Sequence, residues 1–254
     1  MSIDVLFKYG SLNEHSEALF STPTAWFSSP ASLNDPFECR PSVVFNGSEN
    51  QIIDGIVRAI RNQSPFMPTN IATAYAASRV REGHHNDPKT WADLGADLIS
   101  TLNRNLGIYC LTKANDNILM WAHYTKNHEG YCLEFEATDY TPVFGESQEV
   151  KYAEEFPVLD IFTTPRDSQA ELAFLTKFIG WKYEEEYRIV DHQSGSGIHT
   201  YPSELLRSVT FGMNMQEKER SQIRNWLRKR AHEVTLYETS IHDKAFKILI
   251  TETK

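Results

Sequence analysis

The chain has no apolar run long enough to span a membrane, and its amino terminus, Met1-Ser2-Ile3-Asp4, lacks the basic and apolar regions of a secretory leader. Both absences lead to the expectation of a cytoplasmic protein. Cysteine is scarce: Cys39, Cys110 and Cys132 are odd in number, and no two of them stand at metal-ligand spacing. A disulfide framework is therefore not expected, and Cys110 and Cys132, set in apolar runs, read as small core hydrophobes. There is no Walker loop, no Rossmann glycine signature, no HExxH and no GxSxG. Positive charge is short as well, with 25 Lys and Arg against 34 Asp and Glu, a net charge of −9. Such a chain is not suited to coating nucleic acid or anionic membrane, although a local basic pocket for a phosphate is compatible with it. Internal repeats, low-complexity tracts and obvious linkers are missing too.

What is present suits one large domain over residues 1–254, with 41% hydrophobic residues to fill its core. Strands are expected at Asp4–Tyr9, Thr24–Ser28, Gly107–Thr112, Gly130–Glu136, Gln148–Tyr152, Tyr183–Asp191, Ser208–Gly212, Val234–Thr239 and Phe246–Thr251. Helical periodicity marks Leu12–Phe20, most of the stretch from Glu49 to Asn105, Ile118–Lys126 with Asp116 as N-cap, Pro165–Ile179 and Met215–Ala231. Strands cluster late and helices are grouped rather than alternating. The expected class is α+β: a mixed, mostly antiparallel sheet with a helical insertion at about 49–105.

Four segments concentrate chemistry. In Trp181-Lys182-Tyr183-Glu184-Glu185-Glu186-Tyr187-Arg188, the period of two puts Glu184, Glu186 and Arg188 on one strand face, with the two carboxylates about 7 Å apart at Cα. Paired anions suit a reaction that builds positive charge on a sugar, and a neighbouring Arg counters their mutual repulsion. The plain alternative is a solvated edge strand with a local Glu–Arg pair. Lys8-Tyr9-Gly10-Ser11 runs a strand into a turn where backbone, ammonium and hydroxyl can meet phosphate or ribose, or where Gly10 only supplies φ > 0. The loop Ser28 to Glu38, with Asn34, Asp35 and Phe37, is either a cover for a ligand or an Asx turn. On the helix from Ile118, Met120, His123 and Tyr124 share a face with Trp121 one step round; they can stack a planar heterocycle or belong to the core. Arg220, Arg224 and Arg228 read as a solvated helix stripe. His84, His85 and Asp87 are a weak metal candidate.

Taken in order, Lys8-Tyr9, Asn34-Asp35-Pro36-Phe37-Glu38, Cys110-Leu111-Thr112, Met120-Trp121-Ala122-His123-Tyr124, Gly130 to Phe135 and Trp181 to Arg188 resemble the bacterial domain-of-unknown-function family number 2971, over about Val5 to Gly212. The layout is also similar to ADP-ribosyltransferases, with Lys8-Tyr9-Gly10-Ser11 at the first-strand position and Glu184-Glu185-Glu186 as the Glu-x-Glu. The first strand departs from that superfamily, which has His or Arg there. The second resemblance implies NAD as substrate, no metal, and either water or a macromolecule as acceptor. It implies that Glu186 binds the 2′-hydroxyl of the nicotinamide ribose and favours the oxocarbenium ion, while Glu184 deprotonates the acceptor. Lys8, Ser11 and the Asn34–Glu38 loop would hold the adenosine diphosphate end, and Tyr9, Phe37, Trp121 or Tyr124 would stack the nicotinamide. A toxin or phage-defence effector is the implied setting. Two other functions fit the same carboxylates: a Mg²⁺-dependent nuclease or hydrolase, and a non-catalytic ligand- or partner-binding module.

Overall fold

The computed structural model describes residues 4–83, 89, 95–96, 99–100 and 103–253. His84, His85, Asp87 and most of the helix expected after Lys89 lie outside the described residues. The strands are β1 Val5–Gly10, β2 Thr24–Phe27, β3 Ser42–Val44, β4 Gly107–Thr112, β5 Tyr131–Glu136, β6 Gln148–Glu149 and β7 Lys151–Ala153. They continue with β8 Val158–Asp160, β9 Thr176–Phe178, β10 Glu186–Asp191, β11 Gly197–Thr200, β12 Leu206–Phe211, β13 Thr235–Ile241 and β14 Ile248–Glu252. Eight of them form one mixed sheet in the order β14-β13-β12-β5-β1-β4-β10-β6. Only β12 and β13 run parallel in it, so the α+β, mostly antiparallel architecture holds. Helices Glu49–Gln63 and Thr69–Arg81 stand between β3 and β4. No helix among the described residues is long and apolar enough to cross a membrane.

Alternation along the strands makes two different faces. Leu6, Tyr109, Leu111, Leu133, Phe135, Tyr187, Ile189, Val209 and Phe211 fill one, under Phe20 of helix Ser16–Ser21 and Ile223 and Leu227 of helix Glu217–Leu227. The opposite face carries Phe7, Tyr9 and Cys132 beneath Met120 and Trp121 of helix Ile118–Tyr124. All three cysteines are free.

Four expectations are corrected. The segment 165–179 is not one helix. It stops at Phe174, and Thr176–Phe178 extends as β9 to pair in parallel with β7, a tertiary contact that overrides local propensity. The segment from Tyr183 is not strand at its start, because Ile179–Glu184 is a 3-10 turn and Glu185 is left-handed (φ 44, ψ 50). Gln148–Tyr152 is broken at Val150: β6 pairs with β10 and β7 with β9. The N-cap of helix Ile118–Tyr124 is Asn117 rather than Asp116. Its side chain accepts from the amides of Leu119 and Met120 at 2.9 and 3.2 Å and donates to the carbonyl of Tyr183 at 2.7 Å. Strands β3, β8 and β11 were not expected from the sequence, being three or four residues long.

Asn117 thus caps a helix and ties it to the turn that ends at Glu184. Asn117→Ala is expected to lower the unfolding free energy by about 1–2 kcal/mol, measured by urea denaturation.

Candidate active site

β1 joins β5 through six residue pairs but meets β4 through a single one, Phe7 with Thr112. The sheet opens beside that pair, and a cavity of about 200 Å³ forms there. Phe7, Lys8 and Tyr9 line it from β1, and Cys110 and Thr112 from β4. Met120 and Tyr124, one helical turn apart, line it from the helix above, and Asn34 and Glu38 from the loop after β2. Lys177, Glu184 and Glu186 complete it.

The last three belong to a buried ion network. Lys177 Nζ stands 2.5 Å from Glu184 Oε2, 2.9 Å from Glu186 Oε2 and 3.2 Å from Glu38 Oε1. Arg188 Nε donates to Glu186 Oε1 at 2.7 Å, its Nη1 to the carbonyl of Phe174 at 2.9 Å, and its Nη2 to Glu38 and Glu186. All five side chains are buried. Three carboxylates face two cations, so one negative charge is unmatched within the cluster. Tyr124 Oη donates to Glu184 Oε1 at 2.6 Å and is itself approached by Asn34 Nδ2 at 3.3 Å.

Local structure explains how Glu184 and Glu186 both arrive there although only Glu186 is on β10. The left-handed Glu185 turns its own side chain to solvent between two buried neighbours. Thr112 Oγ1 donates to the carbonyl of Glu184 at 2.5 Å and fixes the turn to the end of β4. Trp181 Nε1 donates to Asp35 Oδ2 at 2.7 Å and fixes it to the loop.

The two glutamates are driven apart electrostatically. Burial pushes the Glu186 carboxyl up, but Arg188 and Lys177 outweigh it and bring it down to about 2. Burial also raises Glu184, and Lys177 and Tyr124 do not cancel the effect, so it binds its proton more tightly than an ordinary glutamate. Burial disfavours the Lys177 ammonium, yet the three surrounding carboxylates raise it well above its usual value. Burial and the nearby Glu184 raise Tyr124, which stays a phenol able to donate.

The candidate residues separate in space. Lys8, Tyr9, Asn34, Tyr124, Glu184 and Glu186 line the one cavity. Lys8 projects to the other face of the sheet, however, with its ammonium 4.9 Å from the centre of the Tyr109 ring. Arg188 lies behind Glu186 in the ion network. Asp35 and Phe37 line a neighbouring cavity. Trp121 is fully buried: its indole donates to the carbonyl of Asn115 and it meets Tyr9 edge-on at 5.3 Å. His123 is exposed, so it does not share the inward face of Met120 and Tyr124. Gly10 and Ser11 are outside the cavity lining. Gly10 has no positive φ, and a Cβ there would stand 2.8 Å from the Tyr131 hydroxyl, so its role is to admit that ring. Sequence reasoning missed Lys177 altogether and Glu38 as a network member.

Folding lowers the proton affinity of Glu186, so the stability it contributes is complete above the ordinary glutamate value of 4.5 and is lost as pH falls towards about 2. Glu184 has the opposite sign and costs stability as pH rises from 4.5 through its folded value. The wild-type melting temperature should therefore fall on acidification below pH 4.5, and Glu186→Gln should flatten that limb in a series of thermal melts. Lys177→Met leaves three buried carboxylates without their shared partner and should destabilise the fold by about 3–5 kcal/mol in urea denaturation.

No curated protein and no solved structure matches the chain. The family described as "Protein of unknown function (DUF2971)" matches residues 120–189, the segment that carries Tyr124, Lys177, Glu184, Glu186 and Arg188 and that the motif resemblance had assigned to it.

Proposed function

We propose that the chain cleaves the nicotinamide–ribose bond of NAD, as an ADP-ribosyltransferase or NAD glycohydrolase. The observation that carries this reading is the placement of Glu184 and Glu186, bridged by Lys177, on one small cavity with an unmatched negative charge. Two carboxylates whose proton affinities are pushed in opposite directions fit two different roles. About 200 Å³ admits a ribose with a small ring, and not a whole dinucleotide.

The nicotinamide ring of NAD is a cation, which the excess negative charge attracts. When the C1′–N bond breaks, its electron pair goes to the ring nitrogen and nicotinamide departs neutral, so no acid is needed. Positive charge then develops on the ribose. Glu186, held ionised by Arg188 and Lys177, is a fixed anion for that charge and the acceptor for the 2′-hydroxyl. Glu184, which binds a proton more readily, takes it from the attacking water or acceptor as the new bond to C1′ forms. Tyr124 orients Glu184 through their hydrogen bond. Such consumption of NAD suits a toxin or phage-defence effector.

A metal-dependent hydrolase would need the same carboxylates for a divalent ion. Lys177 Nζ stands within 3.2 Å of all three and takes the position such an ion would occupy. Among the described residues, no group of three or more His, Cys, Asp or Glu is arranged to hold a metal ion.

Incubation with NAD, with chromatography of released nicotinamide, tests the proposal. Turnover should persist in EDTA, and Glu184→Gln should reduce it by roughly 10²–10⁴ while leaving the circular dichroism spectrum unchanged. Because Glu184 must be ionised to act, the wild-type rate should fall as pH drops through its raised value, and Glu184→Gln should lack that limb. A wild type inert towards NAD, with or without acceptors, overturns the proposal. Loss of turnover in EDTA would transfer it to the metal-dependent class.

A further inference from the structure

A second cavity, of about 490 Å³, lies against the first, and Lys177 lines both. One loop serves the two: Asn34 and Glu38 line the carboxylate cavity, while Asp35, Phe37, Cys39 and Arg40 line its neighbour. The left-handed Cys39 (φ 54) follows the buried Glu38, and the next residue, Arg40, is exposed. The second cavity is lined mainly by apolar atoms, and its rim is aromatic. Phe37, Phe156 and Phe178 are 64, 51 and 53% exposed. Three large rings left in water around one hollow are unusual for a protein surface and mark a binding site. Phe37 and Phe156 are 6.4 Å apart at their centres and 20° from parallel. They stack on each other and form a paired aromatic wall beside the cavity, on which a flat ring can lie. Phe178 depends on Gly180, where a Cβ would come within 2.6 Å of the ring.

The polar groups narrow the ligand. Asp35, Glu154 and Glu155 bring acceptors to the rim, and such groups pair with amino donors on a planar ring. Arg40 supplies a guanidinium for a phosphate joined to that ring through a sugar. We infer that the second cavity is a site for a nucleobase bearing an exocyclic amine, adenine being the type, stacked on Phe37 and Phe156. The inference rests on the proposed function only in taking the ligand to be a nucleotide, since the carboxylate cavity is too small to hold more than one end of NAD. Its aromatic wall and acidic rim are independent of whether any bond is cleaved.

Isothermal titration of the full chain with adenosine reads the site without turnover, because adenosine has no nicotinamide bond. Saturable binding of adenosine is expected. Inosine, with a carbonyl in place of the amine, should bind about tenfold more weakly, as should adenosine to Phe156→Ala, whose exposed ring can be removed with the melting temperature unchanged. No saturable binding of adenosine, equal binding of inosine, or undiminished binding by Phe156→Ala would each overturn the inference. A wild type that binds adenosine and leaves NAD intact would remove the proposed function and keep this site.

Discussion

One ammonium group organises the molecule's polar interior. Lys177 Nζ touches Glu38, Glu184 and Glu186, which come from a loop, a 3-10 turn and a strand, so it draws three separate segments together. Arg188 repeats two of those contacts from the same strand as Glu186. Neither cation alone neutralises three carboxylates, and water is nearly excluded from all five side chains. A buried pair of this kind gains little stability over well-packed apolar residues, because desolvating each ion costs about as much as the attraction returns. A cluster that keeps an extra anion next to an open cavity is therefore better understood through what it can hold or do than through what it adds to the fold.

The backbone around the cluster supports the same view. Among the described residues, six non-glycine positions have positive φ, and two of them, Cys39 and Glu185, each adjoin a network carboxylate. Left-handed conformations at such residues cost of order 1–3 kcal/mol and persist where the surroundings over-determine them. At Glu185 the cause is visible. The Thr112 hydroxyl, the Asn117 amide and the Trp181–Asp35 bond fix the preceding turn, and pairing with β4 fixes the strand that follows. The residue between must reverse the chain within one step, and this brings two acids that strand alternation alone would have spaced along one face against the same lysine.

That step also explains what could be read from the sequence. Short β-prone apolar segments located β1, β4, β5 and β10, and helical periodicity the helix from Ile118, because the strands are central to the sheet and the helix packs Met120 and Trp121 on it. The acids Glu184 and Glu186 were legible as a pair, though for the wrong local reason, since Glu184 belongs to the turn and not to the strand. Lys177 was illegible. Its neighbours match a helix that starts at Pro165, and only pairing with β7, more than 20 residues away, makes it a strand residue pointing inward. Charge partners at such separations are a property of the packed sheet, not of any window of sequence. The same holds for Phe37: its exposure is understood only beside Phe156, on a different segment.

The opening between β1 and β4 is what turns a buried ion cluster into a site. Had those strands paired along their length, Cys110 and Thr112 would face Tyr9 and Phe7 across a closed ladder, and the lysine and its acids would sit under an unbroken layer. Instead one residue pair anchors the strands at Phe7 and Thr112, and Tyr9 leaves the ladder to donate its hydroxyl to the carbonyl of Ala114 at 2.9 Å. The space released is capped by Met120 and Tyr124, and Tyr124 is the one cap residue that both lines the cavity and bonds directly to an acid of the cluster. A phenol held in its protonated form by burial and by that acid transmits the position of the helix to the carboxylate. The short β1–β4 pairing and the Tyr124 hydrogen bond therefore act on the same group, Glu184, and its proton is the quantity that links the architecture to chemistry.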